Sequence, residues 1–178
     1  NGSIYDWDVS NVTTMKKMFS DCPSFDKPLN NWNVSSVTTM EGMFGTGSLG
    51  FENIFNQPLD NWNVSNVLTM RNMYLLAYIV IDVFDNWDVS NITNMRSAFE
   101  KANSFNQPLN NWDVSHVERL NDMFKGDSEN PWDYSFNQPL DNWDVSNASL
   151  SGMFYYAHNF NQDLSSWEFS SNGLNLFV

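Results

Sequence analysis

One passage recurs along this chain, and that recurrence limits its fold more than any other feature. "FNQPLDNWNVSNV" at Phe55–Val67 returns as "FNQPLNNWDVSHV" at Phe105–Val117 and as "FNQPLDNWDVSNA" at Phe136–Ala148. The tryptophans Trp7, Trp32, Trp62, Trp87, Trp112, Trp143 and Trp167 stand 25, 30, 25, 25, 31 and 24 residues apart. The unit is therefore about 25 residues, with insertions in Gly45–Asn53 and Lys125–Ser135 and a one-residue deletion in Asn147–Phe154. A unit of this size cannot bury its own apolar face, so copies must stack on one another.

Within the unit two spacings follow each other. Around tryptophan, apolar and polar residues alternate, as in Trp112-Asp113-Val114, which is the period of a short half-buried strand. After the serine, Val12, Met15, Met18, Phe19 and Cys22 fall within an arc of about 120° at helical pitch, which predicts an amphipathic helix of about three turns. Ser115-x-x-Glu118 reads as its capping box, and the Phe-Asn-Gln-Pro segment as the turn that returns the chain. Strands stack at ~4.8 Å and helices at ~8–10 Å, so the stack should curve. The expectation is a single domain over 1–178: an α/β, curved, leucine-rich-repeat-like solenoid with seven parallel strand layers on the concave side and six short helices outside.

The repeat, with its "NWDVSNITNM" at Asn86–Met95, resembles the BspA-like, leucine-rich-repeat-related surface proteins and specifically their DUF285-type repeats. The resemblance runs through essentially the whole chain. It implies an extracellular or cell-surface module used in adhesion or protein interaction, and it brings no catalytic motif. The chain opens mid-pattern without Met, which reads as a fragment of a longer repeat protein. The largest departure is "AYIVIDVFDNW" at Ala77–Trp87, where the Phe-Asn-Gln-Pro turn is missing.

Charge and chemistry narrow the partners. With 21 acidic and 8 basic residues the net charge is −13, which disfavours nucleic acid and anionic membrane and favours a basic protein surface or a cation. No apolar run is long enough to cross a membrane. The single cysteine, Cys22, permits no internal disulfide, and it fills a small-residue slot shared with Ala77, Ala102 and Ala157. His116 and His158 show no triad or metal spacing, and no nucleophile or phosphate-loop motif is present, so an enzyme is not expected.

The residue between Trp and Val forms a column: Asp8, Asn33, Asn63, Asp88, Asp113, Asp144 and Glu168. With Trp and Val turned inward, this column faces outward as an anionic stripe. Asp8, Asp88, Asp113, Asp144 and Glu168 are candidates for a basic partner or for calcium, although no calcium-loop motif accompanies them. The insertion at Lys125–Ser135 adds an aromatic and acidic candidate patch in Trp132 and Tyr134. The apolar strip Tyr78, Ile79, Val80, Ile81, Val83 and Phe84 is a candidate for self-association. Three readings follow: a non-enzymatic module recognising protein or glycan, a structural subunit of a surface layer, fibre or virion-like assembly, and a calcium-dependent adhesive module.

Overall fold

A computed structural model describes residues 3–47, 53–77, 80 and 84–169. The repeats stack in register, but neither half of the unit takes the expected form. Among the described residues there is no helix, and strand-like pairing is confined to isolated parallel bridges. One bridge residue per layer forms the series Thr14–Thr39–Thr69–Asn94–Arg119–Ser149. The α/β solenoid of parallel strands and outer helices is therefore incorrect, as are its seven strand layers and six helices.

Each unit is instead a chain of four-residue turns. In the second layer Trp32 donates its backbone N–H to the Leu29 carbonyl at 2.9 Å, Val37 to Val34 at 2.9 Å and Met43 to Met40 at 3.1 Å. In the fourth layer the same path continues from Ala102 to Phe99 and from Phe105 to Ala102. Corners three residues apart give the apolar spacing that also suits a helix. The capping box dissolves accordingly: Ser115 donates its N–H and its hydroxyl to Asp113, at 3.1 and 2.7 Å, and the Glu118 N–H reaches Thr93 in the preceding layer.

What stops the turns from closing into a helix is a left-handed residue two places after the Met15 position. Lys17, Gly42, Asn72, Ser97, Asp122 and Gly152 all have φ between 54° and 68°. A right-handed helix cannot pass through such a residue. Alternate N–H groups then point to the next layer: Met15 to Thr39, Lys17 to Glu41 and Phe19 to Met43, at 2.8–2.9 Å. The same rungs recur between later layers, for example Met95 to Arg119, Ser97 to Asn121 and Phe99 to Met123. A second left-handed residue occurs at Asp21, Leu76, Lys101 and Tyr156. The equivalent positions in the two layers with insertions, Thr46 and Gly126, lack it. With turns on this side in place of helices, the layers join there through backbone bonds, whereas the Trp-Val side is joined through side chains such as the Trp62 indole and the Asn66 amide.

The core runs from Val9 to Trp167. Phe19, Phe44, Tyr74, Phe99, Phe124 and Phe154 form a column of stacked rings 5.3–6.1 Å apart. The phenylalanine of Phe-Asn-Gln-Pro lies flat beside it, with Phe99 and Phe105 at 4.0 Å and Phe124 and Phe136 also at 4.0 Å. Each buried tryptophan also reaches back one layer through its indole N–H, which joins apolar burial to a satisfied polar group. Trp62 donates to Leu29, Trp87 to Leu59, Trp143 to Leu109 and Trp167 to Leu140, at 2.7–3.2 Å.

The Asn and Gln of the recurring segment serve the stack too. Asn106 Oδ1 accepts the Asn137 N–H at 2.9 Å and the Gln138 Nε2 at 3.1 Å, and Asn137 does the same for Asn161 and Gln162. The segment recurs because each copy supplies the partners of the next.

In the divergent stretch, Val80 and Phe84 are buried. Val80 takes the phenylalanine slot and Phe84 the leucine slot, where its carbonyl receives the Trp112 indole. A self-association strip that includes them is corrected on this point, because core residues are not available to another chain. Tyr78, Ile79, Ile81 and Val83 lie outside the described residues.

Candidate functional site

Four carboxylates of the outward column have a local task. Asp8, Asp88, Asp113 and Asp144 each accept the N–H of the serine two residues on, at 3.0–3.1 Å. Asn33 and Asn63 accept the same bond through Oδ1, so the turn requires an oxygen and not a charge. The side-chain and backbone bonds from Ser10, Ser115 and Ser146 hold Asp8, Asp113 and Asp144 below the usual carboxylate range. For Asp144 the neighbouring Asp113 pulls weakly the other way, the mark of like charges one layer apart.

All five acidic members of the column are exposed. Asp144 and Glu168 come together in one hollow of about 340 Å³ with Asp141. Even so, among the described residues no group of three or more His, Cys, Asp or Glu side chains is placed to hold a metal ion.

The Lys125–Ser135 insertion divides its two candidates. Trp132 is 67% exposed, whereas Tyr134 is wholly buried. Tyr134 is therefore removed from the contact patch. Its hydroxyl donates to the Phe99 carbonyl at 2.9 Å, and burial, followed by the nearby Glu100 charge, raises its pKa well above the ordinary phenol value. The first insertion ends in the same way. Asn53, like Tyr134 two residues before the phenylalanine, is buried and directs Nδ2 at the Phe19 carbonyl at 3.4 Å. Both insertions are thus plugged back into the preceding layer by a buried polar residue.

With Tyr134 as the anchor, Trp132 is left at the surface. Asn159 fixes its backbone by donating Nδ2 to the carbonyls of Trp132 and Tyr134, at 2.7 and 3.0 Å. The indole meets His158 edge to face at 4.9 Å. Trp132, Tyr155, Tyr156, His158 and Phe160 line a groove of about 460 Å³, a size suited to a small ligand or one or two units of a chain. The Tyr155 and Tyr156 hydroxyls share a hydrogen bond at 2.7 Å, and this bond raises the pKa of Tyr156. Asp127 on the same loop is held low, first by the Glu129 N–H and then by Lys101 at 3.3 Å.

Tyr155, Tyr156 and His158 were not legible as site residues. Their one signal is compositional: "MFYYAHNF" at Met153–Phe160 puts a tyrosine pair where the fourth layer has Glu100-Lys101 and the first has Ser20-Asp21. Sequence spacing gave no hint that Trp132 would sit over them, since that depends on how the insertion folds back.

Among the described residues no helix is long and apolar enough to cross a membrane. The family described as Mycoplasma protein of unknown function, DUF285, matches residues 1–81 and 76–175. Comparison with curated proteins and with solved structures found no match.

Proposed function

We propose that this chain, which belongs to the DUF285 family, is a non-enzymatic recognition module, with the groove under Trp132 as its contact surface. The kinship with BspA-like, leucine-rich-repeat-related surface proteins is part of this proposal and rests on the repeat motif. So is an extracellular or cell-surface location. The observation that supports the reading is a two-thirds exposed indole whose backbone carbonyl is held by Asn159, set over a groove with two tyrosines and an imidazole. Rigid aromatic faces carrying polar tips give contact area at small entropic cost. Such faces stack on the C–H side of sugar rings while hydroxyl and imidazole groups bond the ring oxygens. Within the protein-or-glycan class, the groove therefore favours a saccharide.

Titration of a panel of neutral saccharides, followed by saturation-transfer NMR and tryptophan fluorescence, tests this. Binding should be saturable and should weaken at least roughly tenfold in Trp132→Ala, the usual scale for losing a central aromatic anchor. Saccharide binding that survives Trp132→Ala unchanged would place the surface elsewhere. Binding of extended peptides with no response to sugars would retain the module and remove the saccharide.

A further inference from the structure

A second pocket, sharing no lining residue with the aromatic groove, has the opposite polarity. In a chain of net charge −13 with eight basic residues, three of those eight, Arg71, Arg96 and Arg119, line one hollow of about 280 Å³ with Asn94, Asn121 and Asp122. They come from three successive layers, brought together by the rungs Met70 to Asn94 and Met95 to Arg119. Among the described residues Asp122 is the single carboxylate of the lining. It is already shared between Arg96 at 3.6 Å and Lys125 at 3.6 Å. Among the described residues Arg71 and Arg119 form no ion pair. In the first two layers the repeat position of Arg71 and Arg96 is filled by Lys16 and Glu41, which pair at 3.0 Å. Arg71 and Arg96 follow as neighbours of like charge, an arrangement that costs stability unless something negative lies between.

We infer that this hollow binds an oxoanion, a sulfate or phosphate group, through the guanidinium forks of Arg71, Arg96 and Arg119. Planar guanidinium donors suit the several acceptor oxygens of such a group better than a point charge does. Asn94 directs its Oδ1 back to the Arg96 N–H at 3.0 Å, which leaves its amide nitrogen as a further donor toward the pocket. The surrounding negative charge of the molecule repels anions in general, so selection depends on the local fork geometry and not on a long-range field.

The test is an NMR titration of the ¹⁵N-labelled protein with sodium sulfate and, at matched ionic strength, with sodium chloride, following the arginine side-chain signals. Saturable millimolar binding of sulfate, weakened roughly tenfold in Arg71→Gln and retained in Lys16→Gln, is the expected result. Arg71 is exposed and makes no ion pair among the described residues, so the backbone spectrum of the variant should report an intact fold. A sulfated monosaccharide that binds much more tightly than sulfate would identify a sugar ester as the source, and equal affinity would identify the free anion. Shifts that grow linearly, match those in chloride, or persist in Arg71→Gln would overturn the site.

Discussion

The indole nitrogen of Trp112 lies 2.9 Å from the backbone carbonyl oxygen of Phe84, in the layer before it. That bond links a regular copy of the repeat to the divergent one, because Phe84 belongs to the stretch that lost its Phe-Asn-Gln-Pro turn. The tryptophan column tolerates this change since it addresses a main-chain atom, which any residue in the slot supplies.

Replacing Trp112 by phenylalanine should therefore cost about 2–4 kcal/mol, from a smaller ring in a filled site and a buried carbonyl left unpaired. Trp7 is 54% exposed, and the same change there should stay within roughly 0.5 kcal/mol. Urea unfolding of both variants measures the contrast. Equal losses would mean that the interlayer bond adds nothing.

Acid should weaken the stack through the serine-bound carboxylates. Asp113 and Asp144 have folded pKa values below their ordinary ones, so their contribution is present above the unfolded pKa and is lost as pH falls through the folded one. Stability should thus decline between about pH 5 and pH 2. The double variant Asp113→Asn, Asp144→Asn keeps the Oδ1 acceptor that Asn33 and Asn63 already use. It should stay folded and show a shallower decline in denaturant titrations across that window.

The two aromatic residues of the second insertion should separate cleanly. Tyr134→Phe removes a buried hydroxyl from the Phe99 carbonyl and should cost about 1–3 kcal/mol. Trp132→Ala acts at an exposed ring and should leave the unfolding midpoint nearly unchanged. Thermal unfolding beside the saccharide titration shows whether stability and recognition divide between them.

Calcium should not raise the thermal midpoint above that in EDTA. Asp8, Asp88, Asp113 and Asp144 each have one oxygen engaged by a serine, and among the described residues no three ligating groups converge. A cation bound to the folded state would shift the midpoint upward with concentration, and such a shift would revive the calcium-dependent adhesive module.

Backbone strain gives the last prediction. Lys17 occupies the left-handed position that Gly42 and Gly152 fill in other layers, with φ of 56°. Lys17→Gly should be neutral to stabilising by about 1 kcal/mol, since relief of αL crowding exceeds the entropy lost to glycine. Gly152→Ala should be destabilising, because its Cβ would lie 2.7 Å from Asp122 Oδ1 as well as at positive φ. Paired chemical denaturation of the two variants reads both signs.

The sequence by itself determined the unit, its register, the two insertions, the deletion and the inward set of Trp, Val, Met and Phe. It did so because stacking demands that like positions recur, and recurrence is visible in one dimension. It also placed Asp8, Asp88, Asp113, Asp144 and Glu168 at the surface, and Trp132 with them. Only the tertiary structure decided what path the backbone takes between those positions. The spacing of Val12, Met15, Met18, Phe19 and Cys22 suits an amphipathic helix and a run of turns equally well. The choice falls on turns even at Lys17 and Ser97, residues that do not announce a left-handed conformation as Gly42 and Gly152 do at the same repeat position. What secures it there is a bond from the left-handed residue's own N–H to a carbonyl of the next layer, Lys17 to Glu41, Ser97 to Asn121 and Asp122 to Ser151. The same non-local bonding buried Tyr134, carried Trp132 over Tyr155 and His158, and gathered Arg71, Arg96 and Arg119 from three layers into one hollow.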